Sequence, residues 1–233
     1  MRIVTWNCNM VFRDKFDLLL NLMNPDIMLI QECEKPERLT QLTDSYNSIW
    51  VGDNKNKGLA TFIKKQYEFE EMKLHTERVR HVLGIKVGGI KIINFWAMND
   101  REDVQNRYVA QVWRGLRLNQ EVLGDNTIVA GDFNWNVIWD NKKSKYPLHG
   151  YLSDVVDYCN NRNIKSAYHF INNEKFGKEL QSTFFMYRNE NKKYHTDYIF
   201  ASAGILAHKQ EFKIGHYDDW RALSDHIPIL LDF

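Results

Sequence analysis

The chain is poor in cysteine. Cys8, Cys33 and Cys159 are the only three in 233 residues, far apart and without CxxC spacing. That argues against a disulfide framework or a structural zinc site and fits reduced thiols in a cytoplasmic protein. Excess charge of either sign is also missing: 31 basic and 30 acidic side chains leave a net charge of +1. A nucleic-acid partner would have to be attracted locally or through metal ions, not by a global field. No apolar run approaches the roughly 18 residues of a membrane span. The opening MRIVTWNCNM has no long apolar stretch behind its charge, so no signal peptide is expected. Repeats and low-complexity linkers are absent too. The loosest stretches are short and polar: DNKNK at 53–57, DNKKSK at 140–145 and RNENKK at 188–193. One domain over residues 1–233, with no membrane and no obligatory protein partner, is the simplest expectation.

What is present is an ordinary globular balance, 44% hydrophobic and 26% charged. RIVTWN reads as a short strand. FRDKFDLLLNLM has apolar residues at helical spacing and stops at Asn24-Pro25. DIMLIQE is a second buried strand, and a short helix is expected near 35–43. Four strand-like runs follow: NSIWVG, GLATFI, YEFEEMKLH and VRHVLGIKV. Gly88-Gly89 then turns the chain into IKIINFWAM. Residues 101–122 read as the longest helix, TIVAGDFN as a strand entering a loop, and YLSDVVDYCNNRN as a helix. STFFMY, KYHTDYIFA and HIPILLDF are late strands. This order predicts an α+β sandwich, two sheets in the core with helices outside.

Five strand junctions share one peculiarity. RIVTWN ends in Asn7, with Asn9 two residues on. IMLIQE ends in Gln31 and Glu32. TIVAGDFN ends in Asp132 and Asn134. KYHTDYIF carries His195 and Asp197, and SDHIPIL carries Asp225 and His226. Each junction alone is ordinary: a strand-end Glu is more often solvated than ligated, and GDFN or SDH can be an Asx-type turn. Together, each beside an apolar run, they predict one cleft lined by carboxylates, amides and one or two imidazoles. Carboxylates that close repel unless a cation or protons neutralise them. Oxygen ligands suit Mg²⁺ or Mn²⁺, and the ensemble describes a site for cleaving phosphate esters.

The ordered motifs TWNCN, IQE, GDFNWN, HTDY and SDHIP resemble the endonuclease/exonuclease/phosphatase superfamily from Arg2 to the last residue. The resemblance implies a four-layer α/β sandwich with two mixed, mostly antiparallel β-sheets flanked by helices. It implies a Mg²⁺-dependent phosphodiesterase using metal-activated water, with Mn²⁺ an alternative ion. Glu32 would be the main metal ligand, with Asn7 beside it and Asp225 near the metal. Asp132 would align the attacking water or serve the leaving group. Asn134 would hold a phosphate oxygen, and Asn9 would lie at the substrate. His226 would be general base or transition-state partner, with Asp197 orienting it. One position departs from the pattern: relatives often carry His or Tyr where this chain has Trp96. Either Trp96 donates to the phosphate or stacks on a base, or it packs in the core and Asn99, Arg101 or Arg107 makes the phosphate contact.

The missing Cys-Asp-Arg triplet counts against an inositol phosphatase, and the missing signal peptide and apolar segments count against secreted deoxyribonucleases and sphingomyelinases. An intracellular nuclease acting on DNA or RNA is the expectation. Trp96, Trp135, Trp139 and Trp220 are candidates to stack on unpaired bases, with core packing the alternative. Lys142, Lys143 and Lys145 are either phosphate contacts or solvated loop. The competing expectations are a phosphomonoesterase or small-molecule or lipid phosphodiesterase, and a catalytically weak nucleic-acid-binding member.

Overall fold

The computed structural model describes residues 1–207 and 211–233. The first half runs β1 (Arg2–Asn7), α1 (Phe16–Met23), β2 (Ile27–Cys33), α2 (Thr40–Thr43), β3 (Tyr46–Asn54), β4 (Lys57–Lys64), β5 (Phe69–Glu71), β6 (Val82–Val87), β7 (Ile90–Trp96) and α3 (Val109–Leu118). Then come β8 (Thr127–Asp132), α4 (Leu152–Asn160), β9 (Ile164–Ser166), α5 (Ala167–Asn172), β10 (Phe184–Phe185), β11 (Lys193–Tyr194), β12 (Asp197–Ser202), α6 (Ala203–Leu206), β13 (Glu211–Ile214), α7 (Tyr217–Trp220) and β14 (Ile229–Asp232).

Two six-stranded sheets form the middle. Their strand orders are β13-β14-β1-β2-β4-β3 and β5-β6-β7-β8-β12-β9. Only β1–β2 and β7–β8 pair in parallel; the other described pairs in these sheets are antiparallel. Between the sheets lie branched aliphatics, Ile3, Ile27, Leu29 and Ile229 against Ile85, Ile92, Ile128 and Ile199. The outer face of the first sheet is covered by Phe16, Leu19 and Met23 of α1 with Trp6, Phe62 and Trp220. The outer face of the second is covered by Val109, Val112, Leu116, Leu152 and Val155 of α3 and α4. The four layers expected from the motifs are present, each strand turning alternate residues to its two sides.

Boundaries differ from the sequence reading where side chains divert the backbone. The segment 101–122 holds the ten-residue α3, preceded by a single 3₁₀ turn at Val104–Asn106. Asp100 Oδ1 accepts from the N–H groups of Glu102 and Asp103, and Tyr108 has φ 54°, so regular helix starts only after it. At the other end Asn119 spends its side chain on Gly115 and on both backbone groups of His75. KYHTDYIFA is two strands, because His195 Nδ1 is held at 3.0 Å from the Gln181 carbonyl and Thr196 carbonyl accepts from Phe133 N–H. The short β9 and β13, IKS and EFKI, carry too little apolar pattern to be read in advance.

Candidate active site

The strand ends do converge. In β12 and β8, Asp197 pairs directly with Asp132, so two carboxylates leave the second sheet side by side. Across the sandwich, β1 delivers Asn7, whose Nδ2 donates to Asp132 Oδ2 at 2.9 Å and approaches Glu32 Oε1 at 3.5 Å. Thus Glu32, Asn7 and Asp132 form one continuous line from sheet to sheet. Asn134 closes over Asp132: its backbone N–H donates to Oδ1 at 2.8 Å and its Nδ2 reaches Oδ2 at 3.4 Å. Asn9 donates to Asp225 Oδ1 at 3.2 Å and takes its own position from Asn7 Oδ1.

The turn Ser224-Asp225-His226 is tied down from several sides. Ser224 Oγ donates to the Asn7 carbonyl and accepts from His226 N–H, and the buried Trp6 indole donates to the His226 carbonyl at 2.9 Å. The imidazole is thereby aimed at Asp197, with Nδ1 at 3.1 and 3.0 Å from its two oxygens. Asp197 also accepts from Thr183 Oγ1 at 2.7 Å and Thr196 Oγ1 at 3.1 Å. An acceptor saturated in this way is fixed in orientation, and it presents His226 Nε2 away from itself. Thr183 was invisible in the sequence, since a Thr beside a short strand has no distinguishing pattern.

The backbone is strained at three of these residues. Asn9, Glu32 and Asn134 have φ of 51°, 59° and 53°. For Glu32 this is a β-bulge between Gln31 and Cys33, a device that re-aims a side chain at the end of a strand. Such conformations cost of order 1 to 3 kcal/mol each and gather at functional sites. Gly131 of the GDFN segment has φ 139°, and a Cβ there would collide with the Phe95 carbonyl of β7, so only glycine fits.

The site's electrostatics follow from its dryness. Asp132 is wholly buried. Desolvation pushes its carboxyl up to about 7, with His226 opposing and Asp197 adding to the rise. For His226, burial works against the charged form, but Asp197 first and then Asp132 overcome it and raise the imidazole to about 10. His226 at neutral pH is therefore an imidazolium, suited to donating charge and protons more than to accepting them. Asp132, Asp197 and His226 come within 4.8 Å of one another. His226 Nδ1 already bonds Asp197, and Asp132 stands beside that pair with its own bonds to Asn7 and Asn134. The oxygens that could take a hard cation are the neighbouring Glu32 carboxylate and, once its amide turns from Asn9, Asn7 Oδ1. Lys57 Nζ sits 3.0 Å from Glu32 Oε2, so the fold already supplies positive charge there.

Several expectations are corrected. Gln31 does not face the cleft. It lies between the sheets, donating to Asn94 Oδ1 and Thr5 Oγ1, because the bulge sends Glu32 outward and leaves Gln31 inside. His195 is buried beside Tyr168 and Tyr198, and burial lowers its pKa, so the site holds one imidazole and not two. Trp96, 3% exposed, packs with Leu59 and Leu83 and against the His81 ring at 4.7 Å. A ring so enclosed has no free face for a base to stack on. Trp220 is fully buried against Trp6. Asn99 and Arg101 are exposed in the loop after β7, while Arg107 is half-buried near Trp135. Trp135 and Trp139 are partly exposed beside Asn134. Lys57 was missed, hidden in a polar loop next to Gly58.

Solved structures share the fold. The chain matches a 3' phosphatase, NExo, from Neisseria, bound to product DNA hairpin, with TM-score 0.74 at 20% identity, covering 100% of this chain and 99% of that one. An AP endonuclease from Archaeoglobus fulgidus gives 0.74 at 16% identity, again over 100% and 99%. TDP2 from C. elegans, in truncated form, gives 0.63 at 18% over 99% and 96%. No curated protein matches. The model of the Endonuclease/Exonuclease/phosphatase family matches residues 4–226, which span every motif above from Asn7 to His226. That family depends on divalent metal, and the Glu32 carboxylate beside the Asp197–His226 pair is a donor that could hold one. The chain belongs to the Endonuclease/Exonuclease/phosphatase family and is a metal-dependent phosphoric ester hydrolase.

Proposed function

We propose that the protein is a Mg²⁺-dependent nuclease hydrolysing phosphodiester bonds of DNA or RNA, with Mn²⁺ able to replace Mg²⁺. One observation carries the reading: a buried, charged Asp197–His226 pair stands within 4.8 Å of Asp132, which Asn7 joins to Glu32. Glu32 and Asn7 would hold the cation, with Asp225 near it through Asn9. A bound cation supplies positive charge against the scissile phosphate.

The protein's own groups do the rest. Asp132, half-neutral near pH 7, takes a proton from the attacking water or returns one to the leaving oxygen. Asn134, fixed on Asp132, offers its amide to a phosphate oxygen. His226, kept protonated by Asp197, faces the phosphate with Nε2 and stabilises the charge that builds on its oxygens. One domain carries the whole site. The three buried, unpaired thiols suit the reducing cytoplasm, the compartment we assign.

The test is cleavage of labelled single-stranded DNA, duplex DNA, abasic duplex and RNA, with Mg²⁺ or Mn²⁺ against EDTA, beside Glu32→Ala. Metal-dependent cutting lost in the variant supports the reading. Release of inorganic phosphate without cutting of any polymer replaces it with a phosphomonoesterase.

A further inference from the structure

A cleft of about 310 Å³ opens beside the loop that follows β8, shaped by Arg107, Trp135, Trp139, Lys142, Tyr146 and Tyr151. Its size is at the lower end for small-ligand clefts. The walls are aromatic. Trp135 and Trp139 meet edge to face at 5.5 Å, and Trp135 lies over Tyr108 at 6.2 Å. The Trp135 indole N–H is fixed on Asp140 at 2.8 Å, and Asp140 in turn accepts from Leu152 and Ser153 at the start of α4. The rings are therefore oriented before any ligand arrives.

The rim is cationic. Lys142 Nζ lies 5.7 Å from the Trp139 ring and Lys145 Nζ 5.3 Å from that of Tyr146. Arg107 has a buried Nε with no hydrogen-bond partner among the described residues. That Nε is shut from solvent, so Arg107 contributes its charge at the cleft wall and not an open donor there.

A row of aromatic rings runs from the catalytic centre toward the cleft. Phe184 faces His226 at 4.6 Å and Tyr194 at 6.4 Å, and Tyr194 faces Trp139 at 5.0 Å. Phe184, Tyr194, Trp139 and Trp135 are all partly exposed, so a ribbon of ring surface leads from the imidazole to the cleft. With a net charge of only +1, attraction to a polyanion must be local, and here it is local.

We propose that this cleft is a subsite for an unpaired nucleobase, and that the substrate is therefore a single-stranded or locally unpaired stretch of nucleic acid. The proposal rests on the nuclease reading above. Stacking on Trp139 requires a base whose face is free, which a base inside a duplex does not offer, while the adjoining phosphates meet Arg107, Lys142 and Lys145.

Anisotropy in EDTA, where hydrolysis is blocked, tests it with three probes: a labelled oligothymidylate, a duplex of equal length, and an equal run of abasic residues that keeps phosphates but no bases. Wild type is expected to bind oligothymidylate about tenfold or more tighter than the other two, as one good base–aromatic contact provides. Trp139→Ala should erase that preference while binding the abasic run as wild type does. Should Trp139→Ala fail to fold, Lys142→Gln/Lys145→Gln, on exposed side chains, should lower the salt slope for oligothymidylate by up to about 0.7 per lost phosphate contact. Equal binding of the oligothymidylate and the abasic run overturns the proposal, as does an unchanged preference in Trp139→Ala or an unchanged slope in the lysine variant. Metal-dependent hydrolysis by wild type is scored separately: cutting without base preference sinks the subsite alone, and base preference without cutting sinks the nuclease reading alone.

Discussion

Replacing Asp197 by Asn removes the main group that keeps His226 charged, and it barely changes the shape of the site. In the native protein the imidazole rises from 6.5 to about 10, equivalent to roughly 5 kcal/mol of preference for the imidazolium. Asp197 is the largest favourable cause, and burial pulls the other way. Without the carboxylate, burial is opposed only by Asp132 and Asp225, and His226 should titrate well below its native value. Two outcomes follow. Cleavage at pH 7 should fall on the order of 10²- to 10⁴-fold, since both the charge and the orientation of the imidazole are lost. Stability should also respond to pH in a set direction. A group whose pKa is raised by folding stabilises the fold fully below its unfolded value and loses that contribution as pH rises through its folded value. The gap between wild type and Asp197→Asn should thus be widest near pH 6 and close toward pH 10. Urea midpoints at pH 6, 8 and 10, with an NMR titration of His226, measure this. A gap independent of pH, or a wild-type His226 titrating near 6.5, would refute the account of the pair.

Gly131→Ala should destabilise by roughly 3 kcal/mol or more, because φ 139° and the Phe95 carbonyl both forbid a Cβ; a thermal midpoint equal to wild type contradicts this. Trp96→Ala should cost about 3 to 5 kcal/mol as a core truncation, read from denaturant unfolding, and a loss of activity at full stability would instead make Trp96 a substrate contact. Lys57→Met should raise affinity for Mn²⁺ about two- to fivefold, since a partly exposed ion pair competing for Glu32 is worth up to about 1 kcal/mol. Unchanged Mn²⁺ affinity by calorimetry would remove Glu32 from the ligand set.

The sequence was legible where apolar runs are long. β1, β2 and β8 are six- or seven-residue strands buried over nearly their whole length, and each was found with its polar terminus. The Asx-rich termini were legible for a related reason: a carboxylate or amide abutting a core strand is costly unless it has partners, so five such junctions imply shared ones. Side-chain direction was not legible. Gln31 and Glu32 look equivalent as neighbours, but a bulge with φ 59° sends one into the inter-sheet network and the other to the cleft. His195 and Asp197 differ because the strand begins only at Asp197. Lys57 and Thr183 reach the site through contacts distant in sequence, with Glu32 and Asp197, which no local pattern encodes.

The bonds from Trp6 to His226 and from Ser224 to Asn7 join residues more than two hundred positions apart. During synthesis Asn7 therefore precedes these partners by most of the chain. Until they follow, a growing chain holds Glu32 and Asp132 but neither the imidazole nor the turn that steadies Asn7. The complete site thus awaits the closing of the first sheet by β14 between β1 and β13.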